Sequence, residues 1–462
     1  MLPKKSKTQF FCQNCGHQSL KWLGKCPSCS EWNQFAEEEI SASPAAGLET
    51  QFHEDTIPIC AIAAEERDRI TTGIGEMDRV LGGGLVPGSA VLVGGDPGIG
   101  KSTLLLQVLH GIAERGLKAL YVTGEESARQ VKLRGTRIGA ASANLLIMVE
   151  IAIDSIVQQI REIKPQVVVI DSIQTVYSST LSSAPGSVGQ VRESSGKLIL
   201  LAKKLDIPFF LIGHVTKDGS IAGPKVLEHM VDTVLYFEAD SGHAYRIIRS
   251  IKNRYGPANE IGVFEMRDNG LVEVANPSAF FLSERPEGAA GSVVAPSIDG
   301  TRPILIEIQS LVSPTYFGMP RRTAMGIDHN RVSLLIAVLD KICGLSLGNH
   351  DVFLNVAGGI RADEPAIDLG IVASLASSFH GRPVDAKTVV FGEVGLTGEV
   401  RGISRMGDRI KEASRMGFTR CIIPRTNYAD DTGHAGMELL KVSNIRELLE
   451  ICFSHDGLGL IV

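Results

Sequence analysis

At 462 residues the chain is too long for one core and implies roughly three domains at the usual 100 to 200 residues each. Hydrophobic content of 44% beside 21% charged residues is that of a globular protein able to bury cores. A formal net charge of -6 excludes a generally basic nucleic-acid coat, although local basic faces can still meet phosphate.

The opening residues, MLPKKSKTQFF, run straight into cysteines without a signal-peptide core. No apolar run approaches the roughly 18 residues of a membrane span. The expectation is a cytoplasmic protein with no membrane partner. Eight cysteines are too few and too unevenly spaced for a secreted disulfide framework. Cys12, Cys15, Cys26 and Cys29 are clustered as two C-x-x-C knuckles in CQNCGHQSLKWLGKCPSC. Two knuckles supply the four-thiolate cage that a closed structural Zn2+ site prefers, whereas redox C-x-x-C pairs come singly beside a βαβ unit. Residues 1–35 are therefore expected to be a zinc module. Its lysines, Lys4, Lys5, Lys7, Lys21 and Lys25, form either a nucleic-acid contact or a solvated face.

Residues 36–68, beginning AEEEISASPAAG, show few periodic signals and read as a linker. A P-loop domain is expected over residues 69–275. An apolar strand, Ala90 to Val93, leads into Gly95, Asp96, Pro97, Gly98, Ile99, Gly100, Lys101, Ser102 and Thr103, which satisfy G-x-x-x-x-G-K-[ST] before a helix. Glycines let backbone N–H groups face phosphates, the lysine reaches the β and γ phosphates, and the hydroxyl binds Mg2+. This is a nucleotide site. Apolar runs KALYVTG, PQVVVIDS, IPFFLIGH and VDTVLYFE, with helical stretches between the early ones, predict an α/β sheet. Asp171 ends one of these runs in the Walker B position, where a carboxylate holds magnesium through water. Glu125 and Glu126 follow another, and one or both can orient the attacking water.

Downstream, an alternating run from Tyr245 to Ile251 ends in KNRYG, residues 252 to 256. The segment NPSAFFLSERPEGAAGS marks a second boundary, with a linker over 276–290 and a final domain over 291–462. That last part alternates strands such as RPILIEIQSLV and DVFLNVAGG with helices such as NRVSLLIAVLDKICG and AIDLGIVASLASSF, and a basic helix follows from Arg401 onward.

The motifs GGDPGIGKSTLLLQ, YVTGEES, VVVIDSIQT, GHVTKDGSIAGPKVLEHMVDTVLYFE and KNRYG, in this order behind a four-cysteine module, resemble the bacterial RadA (Sms) family of DNA-repair proteins over nearly the whole chain. The resemblance implies a RecA-like P-loop NTPase core, a homo-hexameric ring and ATP-driven branch migration during homologous recombination. Its implied partners are single-stranded and branched DNA and the RecA recombinase. A nucleotide-switched DNA-binding scaffold without motor activity is the alternative.

The resemblance makes the nucleotide ATP and, by position, Lys101 and Ser102 the nucleotide and magnesium ligands, Glu125 with or without Glu126 the water activator, and His214 a γ-phosphate sensor. The loop from Lys217 to Lys225 corresponds to a DNA-facing loop, against a plain surface loop. The serine-rich segment Ser178 to Ser195 is either a second pore loop or flexible chain. Within KNRYG, Tyr255 stands where the family usually has phenylalanine. Lys252 and Arg254 are expected at the subunit boundary, reaching the neighbour's ATP in trans or else DNA.

The C-terminal part resembles the Lon protease fold, an α+β domain. Ala366, in DEPAIDLG, occupies the nucleophilic serine position and Gly407 the lysine position, so no peptidase dyad is expected. Arg321, Arg322, Arg401, Arg405 and Arg409 are its candidate phosphate contacts.

Overall fold

The computed structural model describes residues 7–12, 17–28, 30–40, 58, 60, 68–213, 224–238, 245–316, 318–426 and 436–453. These fall into two compact units that divide after Glu273. Among the described residues no helix is long and apolar enough to cross a membrane.

At the N-terminus β1 (Lys7–Cys12), β2 (Gln18–Ser19) and β3 (Phe35–Ile40) form an antiparallel sheet in the order β2-β1-β3. Cys12, Cys26 and Phe35 make its small core. The expected boundary at residue 35 is corrected, because residues 36 to 40 pair with residues 7 to 11. The acidic run there reads as linker by its side chains, but ladder hydrogen bonds are made by the backbone.

The nucleotide-binding part follows as α1 (Gly75–Leu81), β4 (Ala90–Gly94), α2 (Lys101–Glu114), β5 (Ala119–Thr123), α3 (Ala128–Arg137), β6 (Leu145–Val149), α4 (Ile153–Ile163) and β7 (Val167–Asp171). It continues through α5 (Val188–Leu205), β8 (Phe209–Ile212), α6 (Pro224–Met230), β9 (Thr233–Glu238), β10 (Tyr245–Asn253), β11 (Ile261–Arg267) and β12 (Gly270–Glu273). The sheet order is β12-β11-β10-β9-β4-β8-β7-β5-β6. From β9 to β6 all neighbours are parallel, while β10, β11 and β12 extend the sheet antiparallel.

Strands β4, β5, β7 and β8 are buried at every position, which is why they read as unbroken apolar runs. Their side chains alternate between two cores, Val91 and Val93 on one face and Ala90 and Leu92 on the other. The edge strand β6, partly exposed, adds to the strands expected from the sequence.

The second unit opens with α7 (Pro277–Phe281), then β13 (Ser292–Asp299), β14 (Arg302–Pro314), β15 (Arg322–Met325), α8 (His329–Cys343), β16 (His350–Val356) and α9 (Asp368–His380). It ends with β17 (Thr388–Val390), β18 (Glu393–Val394), β19 (Val400–Arg401), α10 (Met406–Arg415), β20 (Arg420–Pro424), β21 (Glu438–Val442) and α11 (Ile445–Phe453). A mixed sheet, β15-β16-β14-β13-β17-β20-β21, carries α9, buried from Asp368 through Ser377.

The linker expected over 276–290 is also corrected. Asn276 caps α7 by accepting from the Ala279 amide, with proline in the first turn, a helix-start signal rather than a breaker. Ser278 is buried, donates to Glu412 at 2.5 Å and accepts from the Leu305 amide at 3.1 Å. These residues belong to the second unit.

Candidate functional site

The P-loop lies between β4 and α2, and β4 is the central strand of the 9-stranded sheet. Gly95 and Gly100 have φ of 144° and 120°, a region closed to most side chains. A Cβ on Gly95 would lie 2.8 Å from Phe237 Cβ, and one on Gly100 would lie 2.9 Å from Met266 Cε. Packing against Phe237 thus forces glycine at position 95, while at position 100, where the neighbour is the flexible tip of Met266, the positive φ does so. Asp96, Pro97 and Gly98 at its tip are exposed, Ile99 is buried, and Ser102 and Thr103 are partly buried at the start of α2.

Lys101 is 4% exposed, and its ammonium donates to the carbonyls of Gly95 at 2.7 Å and Asp96 at 2.8 Å. Burial pulls its pKa below the usual lysine range, against the opposing fields of Asp171, Asp96 and Glu125. The lysine is thereby held over the loop that its own chain makes.

Asp96 belongs to the loop itself, whereas Asp171 and Glu125 come from the ends of the paired strands β7 and β5. In the β5/β7 register Thr123 stands opposite Asp171, and the Gly124 amide donates to the Asp171 carbonyl at 3.0 Å. The Thr123 hydroxyl accepts from the amides of Glu125 at 3.3 Å and Glu126 at 3.1 Å, fixing the turn. The two acids then diverge. Glu125 accepts a hydrogen bond from the Ser172 hydroxyl, whereas Glu126 is ion-paired with Arg134 on α3.

Asp171, 5% exposed, accepts from the hydroxyl of Tyr121, and that hydroxyl accepts in turn from Arg134 Nη1 at 3.3 Å. Burial, and then Asp171, push the Tyr121 phenol far above its ordinary range. Burial opposes the charge of Arg134, but Tyr121 and Glu126 outweigh it and raise its pKa. Tyr121 opens the YVTGEES motif without a role of its own there and Arg134 lies outside the motifs, so only the proximity of β5, β7 and α3 reveals what the two side chains do.

The KNRYG segment is not simply a turn. β10 runs through Lys252 and Asn253, with a bulge between Ser250 and Lys252. Lys252 donates to the carbonyls of Glu228 and Val231, both at 2.7 Å, at the end of α6. Arg254 pairs with buried Asp232 at 3.1 Å, and the other Asp232 oxygen accepts from the Ala90 amide at the start of β4. Gly256 packs on Gly82, where a Cβ on either would approach the other's Cα within 2.9 Å. Tyr255 is 37% exposed, so its ring is not sealed in a core. His214 and the loop from Lys217 to Gly223 lie outside the described residues.

The segment from Ser178 to Ser195 is corrected as flexible chain, since it enters α5 through a Ser187 cap. Gln190, 1% exposed, ties the preceding loop by accepting from the Ser178 amide and donating to the carbonyls of Ser178, Leu181 and Ser183. A glutamine hidden in a serine-rich stretch gives no periodic signal.

In the ribbon, Cys12 and Cys26 are buried, and Cys15 and Cys29 lie outside the described residues. The Cys12 amide donates to His17 carbonyl at 2.9 Å and the Cys26 amide to Glu31 carbonyl at 2.8 Å. The first cysteine of each C-x-x-C pair thus makes the same backbone hydrogen bond, to the residue five positions further on. His17 packs edge-on against Phe35, and Lys25 lies 5.6 Å over the Trp32 ring.

In the second unit Ala366 is 4% exposed, and Gly407 sits on α10. Arg409 is corrected as a phosphate contact. It is 1% exposed, bidentate to Glu364 at 2.6 and 2.7 Å, and donates to the Pro296 carbonyl at 2.6 Å. Arg401 pairs with Glu399, and Arg405 with Asp408, while both remain exposed together with Arg321 and Arg322.

Comparison with known proteins places these parts among described families. Residues 60–220 match the AAA domain model, residues 10–37 the rubredoxin metal binding domain, and residues 344–455 the Lon protease (S16) C-terminal proteolytic domain. The chain is 54% identical over 450 residues to DNA repair protein RadA of Bacillus subtilis (strain 168), covering 96% of this chain and 98% of that one. It is 52% identical to the protein of the same name from Listeria monocytogenes serovar 1/2a (strain ATCC BAA-679 / EGD-e), covering 97% and 99%. Among solved structures, a KaiC-like protein from Pyrococcus horikoshii OT3 is 23% identical with a TM-score of 0.39, covering 45% of this chain and 99% of that one.

Proposed function

Because the chain belongs to the RadA family of DNA repair proteins, we propose that it is a DNA-repair ATPase that works as a hexameric ring on single-stranded and branched DNA. Coupled to ATP hydrolysis, it drives branch migration during homologous recombination, with the RecA recombinase as partner. The observation that carries this reading is the buried Lys101 ammonium, poised on the P-loop carbonyls within the fields of Asp171 and Glu125.

Binding of the triphosphate replaces the Gly95 and Asp96 carbonyls with phosphate oxygens as acceptors for Lys101. The α2 N-terminus adds free amides and a favourable dipole end. Ser102 would supply an oxygen ligand for Mg2+ and Asp171 would hold the ion through water, and the bound ion would neutralise charge on the phosphates. Glu125 orients the attacking water and receives its proton. For Arg254 to reach a neighbouring subunit's phosphate it must exchange its bond to Asp232, and its side chain, 52% exposed, is accessible for that exchange. The four clustered cysteines hold structural Zn2+. The C-terminal unit acts as a non-proteolytic scaffold, supported by alanine at position 366.

The test compares wild type with Lys101→Ala and Arg254→Ala in ATP hydrolysis, with and without single-stranded DNA, and in extension of strand-exchange branches. The motor reading expects DNA to accelerate hydrolysis in the wild type and both variants to stall branch extension. Normal extension by both would sink it. The nucleotide-switched scaffold is then favoured, a reading supported by the hydrogen bonds and ion pair that Lys252 and Arg254 make within their own chain.

A further inference from the structure

Building on the reading of the P-loop as a magnesium-nucleotide site, we propose that Tyr121 and Arg134 form a positioning relay. Tyr121 fixes the Asp171 carboxylate for the metal, and Arg134 anchors that tyrosine while holding Glu126 aside, so that Glu125 alone faces the water.

The argument starts from burial. Tyr121 is 0% exposed in the middle of β5, with its ring in the core beneath the P-loop. A phenylalanine would fill the same space, so the hydroxyl must be explained by what it touches. It touches the Asp171 carboxylate on one side and Arg134 on the other. With Oδ2 engaged by a rigid phenol on the adjacent parallel strand, Asp171 cannot rotate about its last bond without losing that donor. Groups behind a metal ligand set its orientation in this way, and removing one typically weakens metal affinity about 10- to 100-fold.

Arg134 makes the two acids inequivalent. Its planar guanidinium uses Nη1 for Tyr121 and Nη2 for Glu126, a geometry that a lysine's single ammonium cannot reproduce. Its side chain is only 13% exposed, which favours the ion pair over a solvated alternative. Glu126 can therefore approach nucleotide only by leaving a charged partner. Glu125 faces the serine hydroxyl adjacent to Asp171 in the chain and is already within the field acting on Lys101. Adjacent in sequence, the pair is separated in role by one arginine from α3.

The experiment uses full-length protein and a fluorescent ATP analogue, titrated first in EDTA and then with increasing Mg2+, beside kcat and KM for hydrolysis. Tyr121→Phe is expected to bind nucleotide like wild type without metal but to need about tenfold more Mg2+ for half-saturation. Arg134→Lys shifts the Mg2+ midpoint the same way and carries the readout independently if the core variant is unstable. Glu125→Gln lowers kcat by about a hundredfold or more, and Glu126→Gln far less, with a Mg2+ midpoint displaced like that of Arg134→Lys. An unchanged midpoint in both Tyr121→Phe and Arg134→Lys overturns the relay, as does equal loss of kcat in the two glutamate variants. If wild type itself shows no Mg2+-dependent nucleotide binding, the underlying site reading fails instead.

Discussion

Two buried cations, one in each unit, are held in opposite ways. Around the P-loop, Lys101 is buried against carbonyls of a loop that can give way to a better acceptor. In the C-terminal unit Arg409 is buried against Glu364 in a closed bidentate pair, and Arg331 meets Asp368 likewise, with the Val394 amide also donating to that carboxylate. A charge with exchangeable neutral partners is poised for a ligand, whereas a charge neutralised by a fixed counter-ion serves the fold. The same contrast separates Glu125 from Glu126 within the first unit.

The comparison breaks most visibly at Lys101. Lys101→Ala should reduce ATP hydrolysis by about 100- to 1,000-fold while its melting temperature stays near wild type. A large drop in melting temperature would mean that the lysine is structural, like Arg409. Arg409→Ala is the mirror case, expected to cost about 3–5 kcal/mol of stability by stranding Glu364. Denaturant unfolding checks it, and joint replacement of Arg409 by Met and Glu364 by Leu should recover only part of the loss, since the Pro296 carbonyl and the Ile298 amide lose their side-chain partners. A smaller cost, about 1–3 kcal/mol, is expected for Gly256→Ala, because the methyl would collide with Gly82 and part α1 from β10. The smallest effect sharpens the contrast furthest: Ala366→Ser should leave casein uncut with or without ATP, since Gly407 provides no base. ATP-dependent cleavage would show that a base lies elsewhere in that unit.

Much of the first unit was legible because its strands are buried on both faces and bracket a motif whose glycines have steric causes. Gly95 follows from Phe237 and Gly100 from its positive φ, and the apolar runs became β4, β5, β7 and β8. Boundaries were less legible. Residues 36 to 40 and α7 are polar or punctuated by proline, so composition suggested linkers where backbone pairing and a helix cap make structure. Arg409 was indistinguishable from Arg401 and Arg405 in sequence, because burial depends on where α10 meets β13 and the chain around Glu364.

Sequence by itself determined the P-loop, the strand that ends in Asp171 and the paired C-x-x-C knuckles, since each depends on residues close together along the chain, and it determined the family through the order of its motifs. Tertiary structure alone decided that Glu125 and Glu126 differ, that Tyr121 stands behind Asp171, and that Lys252 and Arg254 are bound within their own chain. Those outcomes arise from side chains on separate elements meeting at a few ångströms, and hydrogen-bond energy depends on distance and direction that local spacing does not encode.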